Sequence, residues 1–324
     1  MIAIAEIEAA AKRLEGVAVR TPLLQNAELD RIAGGAVLIK PECFQSVGSF
    51  KIRGAYNLLH QLSPEQAQRG VVAWSSGNHA QGVALAGKLL GIHAAIVMPE
   101  DAPAAKLANT RRLGGEVITY DRYSGDREAI ARGIAAERGA ELVPSYDDPR
   151  IVAGQGTVGL EIAEQSVELG LPVEQALVNC GGGGLVSGCA IALQARLPEV
   201  RIYTVEPEDF NDTGRSLAKG ERVCNEASAR SICDALLADT PGQLPFEILV
   251  ERASSGLVVS DAEVRQAMRF AFQNLKIVVE PGGAVGLAAV LSGKIETAGK
   301  TTAIIFSGGN VDTELFASIQ SEPD

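Results

Sequence analysis

The run Val71-Val72-Ala73-Trp74-Ser75-Ser76-Gly77-Asn78-His79 indicates the fold class of this 324-residue chain. Its first four residues are apolar without alternation, which is typical of a strand that is covered on both faces. Small polar residues follow, and a helical pattern begins at Asn78. The same order of strand, polar turn and helix recurs along nearly the whole chain, so the sequence predicts an α/β protein with a mostly parallel sheet.

Eight short apolar runs are predicted as strands, and seven longer runs as helices after an N-terminal helix that reaches about residue 14. The strands are 36–40, 71–74, 94–98, 116–120, 141–143, 176–179, 201–205 and 302–306. The helices are 78–90, 104–113, 127–138, 157–165, 185–196, 261–274 and 284–291. The unit from about 70 to 146 alternates strands and helices by itself. We therefore expect a small, substrate-closing domain of residues 70–146 inserted into a large domain of residues 1–69 and 147–324.

The composition limits the partners and the location that we expect. The formal net charge of −11 argues against a nucleic-acid partner, because binding to phosphates needs a concentrated basic face. The N-terminus lacks the basic segment of a signal peptide, and no apolar run reaches the ~18 residues of a membrane span. The five cysteines show no CxxC spacing. We expect a cytoplasmic protein with reduced thiols that acts on a small molecule, not on nucleic acid or at a membrane.

Gly181-Gly182-Gly183-Gly184 stands where a predicted strand ends and a predicted helix begins. The amides of Gly182, Gly183, Gly184 and Leu185 could point at one anion near the positive end of the helix dipole. A flexible turn is the alternative account of an isolated glycine run. The run lacks the GxGxxG spacing and the downstream acidic residue of a dinucleotide site, so a mononucleotide-type phosphate is favoured over NAD.

Three other stretches carry residues suited to chemistry. Lys51, between Phe50 and Ile52, would become an amine nucleophile if burial lowered its pKa, although a surface lysine is the alternative. The run 75–78 could bind a carboxylate or simply cap a helix. The hydroxyl of Ser307 could bond an aromatic nitrogen of a ligand, or belong to a plain turn. Strand ends of one sheet gather at one edge, so these groups together indicate a pyridoxal phosphate site.

Five motifs resemble the fold type II pyridoxal phosphate enzymes: SFKIRGA (49–55), SSGNHAQG (75–82), AGQGT (153–157), CGGGGL (180–185) and SGGN (307–310). Within that group the chain resembles the threonine/serine dehydratase and serine racemase family, over about residues 17–313. The resemblance implies a tryptophan synthase β-like fold with two open, twisted, mostly parallel sheets and helices on both faces. It also implies a homodimer.

The resemblance assigns roles to residues of this chain. Lys51 would form the Schiff base with pyridoxal 5'-phosphate, and Ser76 would be the second catalytic acid/base, on the opposite face of the substrate α-carbon. The cofactor-binding residues would be Phe50 on the ring, Asn78 at the ring 3'-oxygen, Ser307 at the pyridine nitrogen, and Gly181, Gly182, Gly183, Gly184 and Leu185 at the phosphate. The substrate carboxylate would be held by Ser75, Ser76, Gly77, Asn78, His79 and Gln81.

The run 206–212 resembles the divalent-cation loop of that family. The carboxylates of Glu206 and Asp212 and the carbonyl of Phe210 would be the ligands, and such hard oxygen donors suit Mg²⁺ or Ca²⁺. An acidic surface loop after a strand is the alternative account. The chain ends soon after SGGNVD, so we expect no C-terminal regulatory domain of the kind found in isoleucine-inhibited dehydratases.

The resemblance implies α,β-elimination of a β-hydroxy amino acid, L-threonine or L-serine, to a 2-oxo acid and ammonia. Amino-acid racemisation is an alternative that Ser76 motivates, and both reactions begin with removal of the α-proton. A 3-hydroxyaspartate dehydratase is another, which needs a cation such as Arg127 for the extra carboxylate. An idle pyridoxal phosphate-binding module is the non-enzymatic alternative. Two departures, at 232–237 and at Tyr146, bear on the choice of substrate.

Overall fold

The computed structural model describes residues 2–102, 104–121 and 125–322. Within these residues ten strands are found, and most are short, as in other parallel sheets. The strands are β1 (Leu24–Gln25), β2 (Ala36–Lys40), β3 (Val71–Trp74), β4 (Ala94–Pro99), β5 (Glu116–Tyr120), β6 (Glu141–Leu142), β7 (Gln175–Asn179), β8 (Arg201–Pro207), β9 (Ala253–Val259) and β10 (Thr301–Ile305).

Fourteen α-helices lie between and around these strands in the described part of the chain. They are α1 (Ile4–Arg13), α2 (Ala27–Ala33), α3 (Lys51–Leu59), α4 (Pro64–Arg69), α5 (Asn78–Leu90), α6 (Ala104–Arg112), α7 (Arg127–Arg138), α8 (Pro149–Glu168), α9 (Gly184–Arg196), α10 (Asp212–Lys219), α11 (Gln243–Arg252), α12 (Asp261–Phe270), α13 (Pro281–Leu291) and α14 (Thr313–Gln320). A π-helical turn, Ala271–Leu275, continues α12. None of the described helices combines the length and apolar character needed to cross a bilayer.

The strands form two separate sheets. The larger has the order β1-β2-β10-β7-β8-β9, and the smaller has the order β5-β4-β3-β6. Strand β1 pairs antiparallel with β2, and every other pairing is parallel. The predicted fold class, two mostly parallel sheets with helices, is confirmed. All four strands of the smaller sheet lie within the predicted small domain 70–146, while the division into domains stays a prediction.

Helix α8 is longer than the sequence analysis predicted. It begins at Pro149, not near residue 157, and Asp148 caps it by accepting a hydrogen bond from the amide of Arg150. The two glycines of the AGQGT motif lie within α8 and serve close packing. A Cβ on Gly154 would lie 2.6 Å from the carbonyl oxygen of Arg53 in α3, and a Cβ on Gly156 would lie 2.9 Å from the carbonyl oxygen of Gly188 in α9. A Cβ added to Gly188 would lie 2.4 Å from the carbonyl oxygen of Val152. Glycine therefore marks helix contact here rather than a turn.

All eight predicted strands are present, with ends that differ by at most two residues. Strand β9 was not predicted, because its sequence Ala-Ser-Ser-Gly-Leu-Val-Val begins with small polar residues and its burial is mostly partial. It lies at the edge of the larger sheet. Edge strands are covered less completely and therefore carry a weaker hydrophobic signal.

A buried group of four charged side chains holds α3 in place. The guanidinium of Arg53 contacts Glu42 at 2.7 Å and Glu161 at 2.6 Å, and Lys40 contacts Glu161 at 2.6 Å. Glu42 precedes α3 in the chain, and Glu161 belongs to α8. Since Arg53 lies two residues after Lys51, this ion cluster ties the first turn of α3, and Lys51 with it, to the rest of the larger unit.

Candidate active site

A cavity of about 1510 Å³ lies at the carboxyl ends of strands from both sheets. Residues that follow β3, β6, β7 and β10 contribute to its wall. The predicted cofactor and substrate residues all line it: Phe50, Lys51, Ser75, Ser76, Gly77, Asn78, His79, Gln81, Gly181, Gly182, Gly183, Gly184, Leu185 and Ser307. The structure thus brings together residues from four separate stretches of the chain, while their individual roles stay predictions.

Lys51 is the first residue of α3, and its Nζ donates a hydrogen bond to the carbonyl of Ser145 at 3.1 Å. The same nitrogen lies 5.1 Å from the centre of the Phe50 ring. Burial disfavours the ammonium form and lowers the pKa of Lys51 to about 8, although the nearby charge of Glu280 opposes that shift. A much larger fraction of this amine is therefore neutral near pH 7 than of an ordinary lysine, which is the form that attacks a carbonyl.

The glycine run joins the end of β7 to the start of α9. Gly183 has a φ of 92°, in the left-handed region that favours glycine, and stands at the N-cap of α9. A Cβ on Gly182 would lie 2.3 Å from the ring of Tyr146. The described residues accept no hydrogen bond from the amides of Gly182 to Leu185. A loop of amides without acceptors at a helix N-terminus fits a phosphate group.

The loop after β3 leads into α5 at Asn78. The amide of Ser75 donates to the carbonyl of Val97 at 3.1 Å, and the amide of Gly77 donates to the hydroxyl of Ser75 at 3.2 Å. A Cβ added to Gly77 would meet no described atom within 4 Å. The space next to this loop is therefore open, as a substrate-binding loop at a helix N-terminus requires.

His79 and Gln81 follow in the first turns of α5 and are largely buried. The Nε2 of His79 donates to the carbonyl of Val143 at 2.8 Å. Burial, together with the charge of Lys51, lowers the pKa of His79 to about 3. The ring is therefore neutral, and it ties α5 to the segment after β6 rather than supplying a charge to the cavity.

Ser307 follows β10 and is 3% exposed. Its carbonyl accepts a hydrogen bond from the amide of Phe50 at 3.2 Å, and Ser49 forms a β-bridge with Gly308. The segments that carry Lys51 and Ser307 are thus joined through their backbones. This places both predicted residues on neighbouring parts of the cavity wall.

Glu280 also lines the cavity and was not predicted from the sequence. Its Oε1 accepts a hydrogen bond from the Nδ2 of Asn78 at 2.7 Å. Burial, together with the charge of Asp234, raises the pKa of Glu280 to about 7. The one sequence signal was a lone carboxylate between the apolar run 277–279 and the Pro281 that begins α13.

The predicted cation ligands lie outside the cavity wall. Glu206 accepts hydrogen bonds from the amides of Thr213 at 3.0 Å and Gly214 at 2.8 Å. The Oδ1 of Asp212 accepts from Asn225 at 2.6 Å, whereas its buried Oδ2 has no partner among the described residues. Burial raises the pKa of Glu206 to about 8 and that of Asp212 to about 6, and the charge of Asp212 adds to the shift of Glu206.

Two buried carboxylates that repel each other, one with an unpartnered oxygen, fit a cation. Within residues 2–102, 104–121 and 125–322, however, no group of three or more His, Cys, Asp or Glu side chains is arranged to hold a metal ion. The two carboxylates would need the carbonyl of Phe210 and water to complete a shell. The divalent cation therefore stays a prediction.

Comparison with known proteins gives a consistent result. The model of the family described as pyridoxal-phosphate dependent enzyme matches residues 14–308. An L-threo-3-hydroxyaspartate ammonia-lyase of Pseudomonas sp. is 47% identical over 96% of this chain and 96% of that protein. An L-threonine ammonia-lyase of Thermotoga maritima is 41% identical over 98% of this chain and 78% of that protein. The structure of maize serine racemase superposes with a TM-score of 0.92 at 38% identity, covering 98% of this chain and 97% of that one.

Proposed function

From the fact that the chain belongs to the pyridoxal-phosphate dependent enzyme family, we propose that it removes water from a β-hydroxy amino acid to give a 2-oxo acid and ammonia. The observation that carries this proposal is the buried Lys51, whose pKa is lowered to about 8, in one cavity with the glycine run at the start of α9. The two groups match the aldehyde and the phosphate of pyridoxal 5'-phosphate.

We propose a separate role for each group of residues in the cavity. The amides of Gly182 to Leu185 hold the phosphate, and the loop of Ser75 to Asn78 holds the substrate carboxylate. When bound, pyridoxal phosphate supplies the electron sink that stabilises negative charge at the substrate α-carbon. The neutral Nζ of Lys51 accepts the α-proton, which a lysine of ordinary pKa would do poorly at neutral pH. Proton removal then allows the β-hydroxyl to leave with a proton, as water. The enamine that results becomes an imine, and its hydrolysis consumes one water and gives the 2-oxo acid and ammonia.

Two supporting features concern groups outside the reacting centre. We infer that Glu206, Asp212 and the carbonyl of Phe210 hold Mg²⁺ or Ca²⁺, since a cation would offset the burial that raises the pKa of both carboxylates and the charge of Asp212 that adds to the shift of Glu206. We also expect a homodimer, as the resemblance to the dehydratase and racemase family implies, and a cytoplasmic location.

Among β-hydroxy amino acids, L-threo-3-hydroxyaspartate is the substrate that we propose first. The Pseudomonas relative is named for that substrate. The second carboxylate of 3-hydroxyaspartate needs a cationic side chain to bind it. Arg127 lines the cavity and also a smaller pocket beside Ser75 and Ser76. No described carboxylate forms an ion pair with Arg127, whereas Arg132 pairs with Glu128 and Lys106 with Asp234. L-Threonine and L-serine are the substrates to compare with it.

The test is an absorbance spectrum of the purified protein followed by 2-oxo acid assays on L-threo-3-hydroxyaspartate, L-threonine and L-serine. We expect a visible band from bound pyridoxal phosphate and the largest kcat/KM on 3-hydroxyaspartate. A protein that shows no band after addition of pyridoxal phosphate would contradict the proposed function. Faster turnover of threonine than of 3-hydroxyaspartate would leave the lyase reaction in place and reject the substrate.

Racemisation is a second candidate, because Ser76 lines the same cavity as Lys51. If Ser76 returns a proton to the second face of the α-carbon, Ser76→Ala should lose racemisation of L-serine by about 100-fold or more. Elimination from the L-substrate should fall much less, since it needs only Lys51. A chiral amino-acid assay run beside the 2-oxo acid assay measures both. Equal loss of the two activities would show that Ser76 positions substrate instead.

A further inference from the structure

Asn78 is held between two polar groups that belong to a different part of the fold. It follows β3 of the smaller sheet, whereas Glu280 precedes α13 and Asn310 follows β10 of the larger sheet. The Nδ2 of Asn78 donates to Glu280 at 2.7 Å, and the Oδ1 of Asn78 accepts from the Nδ2 of Asn310 at 2.8 Å. Both atoms of the carboxamide are therefore fixed by residues more than 200 positions away in the chain.

Glu280 is in an unusual position for a residue that makes this contact. It is the N-cap of α13, where a carboxylate ordinarily accepts hydrogen bonds from amides of its own helix. Its side chain makes no such capping bond. It contacts Asn78 instead, although the residue is only 2% exposed. Glu280 therefore does not stabilise the N-terminus of α13 through its side chain. It links the segment before α13 to Asn78, which follows a strand of the smaller sheet.

The backbone at Gly308 lies close against the contact between Glu280 and Asn78. A Cβ on Gly308 would lie 2.3 Å from the Oε1 of Glu280 and 3.0 Å from the Nδ2 of Asn78. Val47 has a φ of 61°, a strained conformation for a β-branched residue, and its carbonyl accepts from the Nδ2 of Asn310 at 2.7 Å. The carbonyl of the strained Val47 orients the side chain of Asn310, and Asn310 in turn orients Asn78.

The hydrogen-bonding capacity of a carboxamide explains what this arrangement does. Asn78 has two N–H donors and an oxygen with two lone pairs. Its nitrogen faces the acceptor Glu280 and its oxygen faces the donor Asn310. Rotation of the amide by 180° would place oxygen against carboxylate oxygen and nitrogen against nitrogen. The orientation is therefore unique, and it leaves one N–H and one lone pair for a ligand in the cavity.

We propose that Glu280 is a positioning residue that fixes the amide of Asn78, so that its second N–H is presented to the ring oxygen of the cofactor. The inference rests on the proposed function, because it takes Asn78 to contact that oxygen. Glu280 touches Asn78 and acts through it. A correctly oriented N–H would stabilise the ionised ring oxygen, which determines both the affinity for pyridoxal phosphate and the position of its visible band.

Several charged or titratable groups also surround Glu280, and they have to be considered in the design of the test. Lys51 of α3 and Lys106 of α6 are nearby cations, Asp234 is a nearby anion, and the thiols of Cys43 and Cys233 lie close enough to be affected by its charge. A variant that removes only the charge is therefore needed beside one that removes the hydrogen bond.

The experiment compares Glu280→Ala, Glu280→Gln and a control, Glu174→Gln. Glu174 also accepts a hydrogen bond, from the amide of Thr301 at 2.8 Å, but at the amino ends of β7 and β10, whereas the cavity lies at the carboxyl ends of the strands. Each protein is freed of cofactor and titrated with pyridoxal phosphate while the visible band is recorded. We expect Glu280→Ala to bind about tenfold more weakly with a shifted band, because the hydrogen bond that orients the amide of Asn78 is lost.

Glu280→Gln keeps an acceptor for Asn78 and should restore the band position and bring the affinity to within about threefold of the original protein. Glu174→Gln should match the original protein in both. Unchanged affinity and band in Glu280→Ala would overturn the inference. Equal losses in Glu280→Ala and Glu280→Gln would also overturn it, since the charge beside Lys51 and not the hydrogen bond would then be responsible.

If Glu280→Ala does not fold, Asn310→Ala tests the other side of the same amide. We expect a similar loss of affinity and a similar shift of the band, and no change in either would reject the inference. Failure of the proposed function is recognised separately, because the original protein would then show no pyridoxal phosphate band. A normal band in the original protein with unaffected variants rejects the role of Glu280 alone.

Discussion

Two groups of buried charges lie on either side of the start of α3, and they differ in how they are paired. In the ion cluster of Lys40, Glu42, Arg53 and Glu161, each side chain has an opposite charge within 3 Å. In the cavity, Lys51 donates to a carbonyl and Glu280 accepts from an amide. Neither forms an ion pair within the described residues.

The pKa values of Glu42 and Arg53 follow this difference in pairing, whereas burial still lowers the pKa of Lys40 against the charges of Glu161 and Glu42. Burial alone would raise the pKa of Glu42 and lower that of Arg53, but their mutual attraction reverses both shifts. In the cavity burial dominates, so the pKa of Lys51 falls to about 8 and that of Glu280 rises to about 7. Burial with pairing keeps charges permanent and structural, whereas burial without pairing prepares groups to exchange protons near neutral pH.

The largest effect should come from removing the unpaired lysine. Lys51→Ala should abolish the visible band of bound pyridoxal phosphate and reduce 2-oxo acid formation by about a thousandfold or more, since both nucleophile and base are lost. The free energy of unfolding should change little, because no ion pair is broken. Lys88→Ala, on the exposed side of α5, is the control. Substantial 2-oxo acid formation by Lys51→Ala would show that Lys51 is neither the nucleophile nor the base.

The opposite pattern is expected in the ion cluster. Arg53→Met should lower the free energy of unfolding by about 3–5 kcal/mol, because it leaves the buried carboxylate of Glu42 without a compensating charge. Urea denaturation measures this. Arg20→Ala is a matched control, since Arg20 pairs with Glu168 at the surface and such pairs contribute about 1 kcal/mol or less. Equal losses of unfolding free energy in Arg53→Met and Arg20→Ala would contradict the expectation that the buried ion pairs matter more than the surface pair.

A pH series tests the unpaired carboxylate. The folded protein holds the proton of Glu280 up to about pH 7, while the unfolded chain releases it near the ordinary value of 4.5. The stability due to this group is therefore complete below about pH 4.5 and is lost as the pH rises to about 7, by roughly 3 kcal/mol. Glu280→Gln should remove that loss. The measurement is urea denaturation of the cofactor-free proteins at pH 5 and pH 8. The same loss of unfolding free energy between the two pH values in both proteins would contradict the prediction.

The smallest effect should be at the exposed rim of the cavity, where a charge is neither buried nor paired. Arg127→Gln should raise KM for L-threo-3-hydroxyaspartate by roughly 10-fold, because the extra carboxylate loses one charge-assisted hydrogen bond. KM for L-threonine should stay nearly constant, since threonine has a methyl group at that position. Steady-state kinetics on both substrates decides the matter. A parallel increase in both KM values would assign Arg127 a general role in cavity shape.

Some features of the candidate site were open to prediction because they are local. The segment 71–79 combines an apolar strand, small polar residues and a helix start, and the glycine run 181–184 stands in the same context. Such patterns depend on neighbours in sequence, so fold class and candidate loops followed from them. The family comparisons agree with that fold.

Other features were hidden because their meaning depends on distant neighbours. The predicted helix began at residue 157, yet α8 begins at Pro149, and its Gly154 and Gly156 allow it to pack closely on α3 and α9. Nothing near Glu280 in the sequence shows that its carboxylate turns away from its own helix. Its hydrogen bond at 2.7 Å to Asn78, 202 residues away in the chain, depends on the tertiary structure.

The sequence by itself determined the order of strands and helices and the loops at which a cofactor is expected, since hydrophobic period and turn residues act over a few positions. Only the tertiary structure decided which charges are paired. Arg53 and Lys51 are two positions apart on one helix, yet one is enclosed by carboxylates and the other is left without an ion pair. Pairing and burial are set by residues brought together from across the chain, and those determine pKa, which no local pattern encodes.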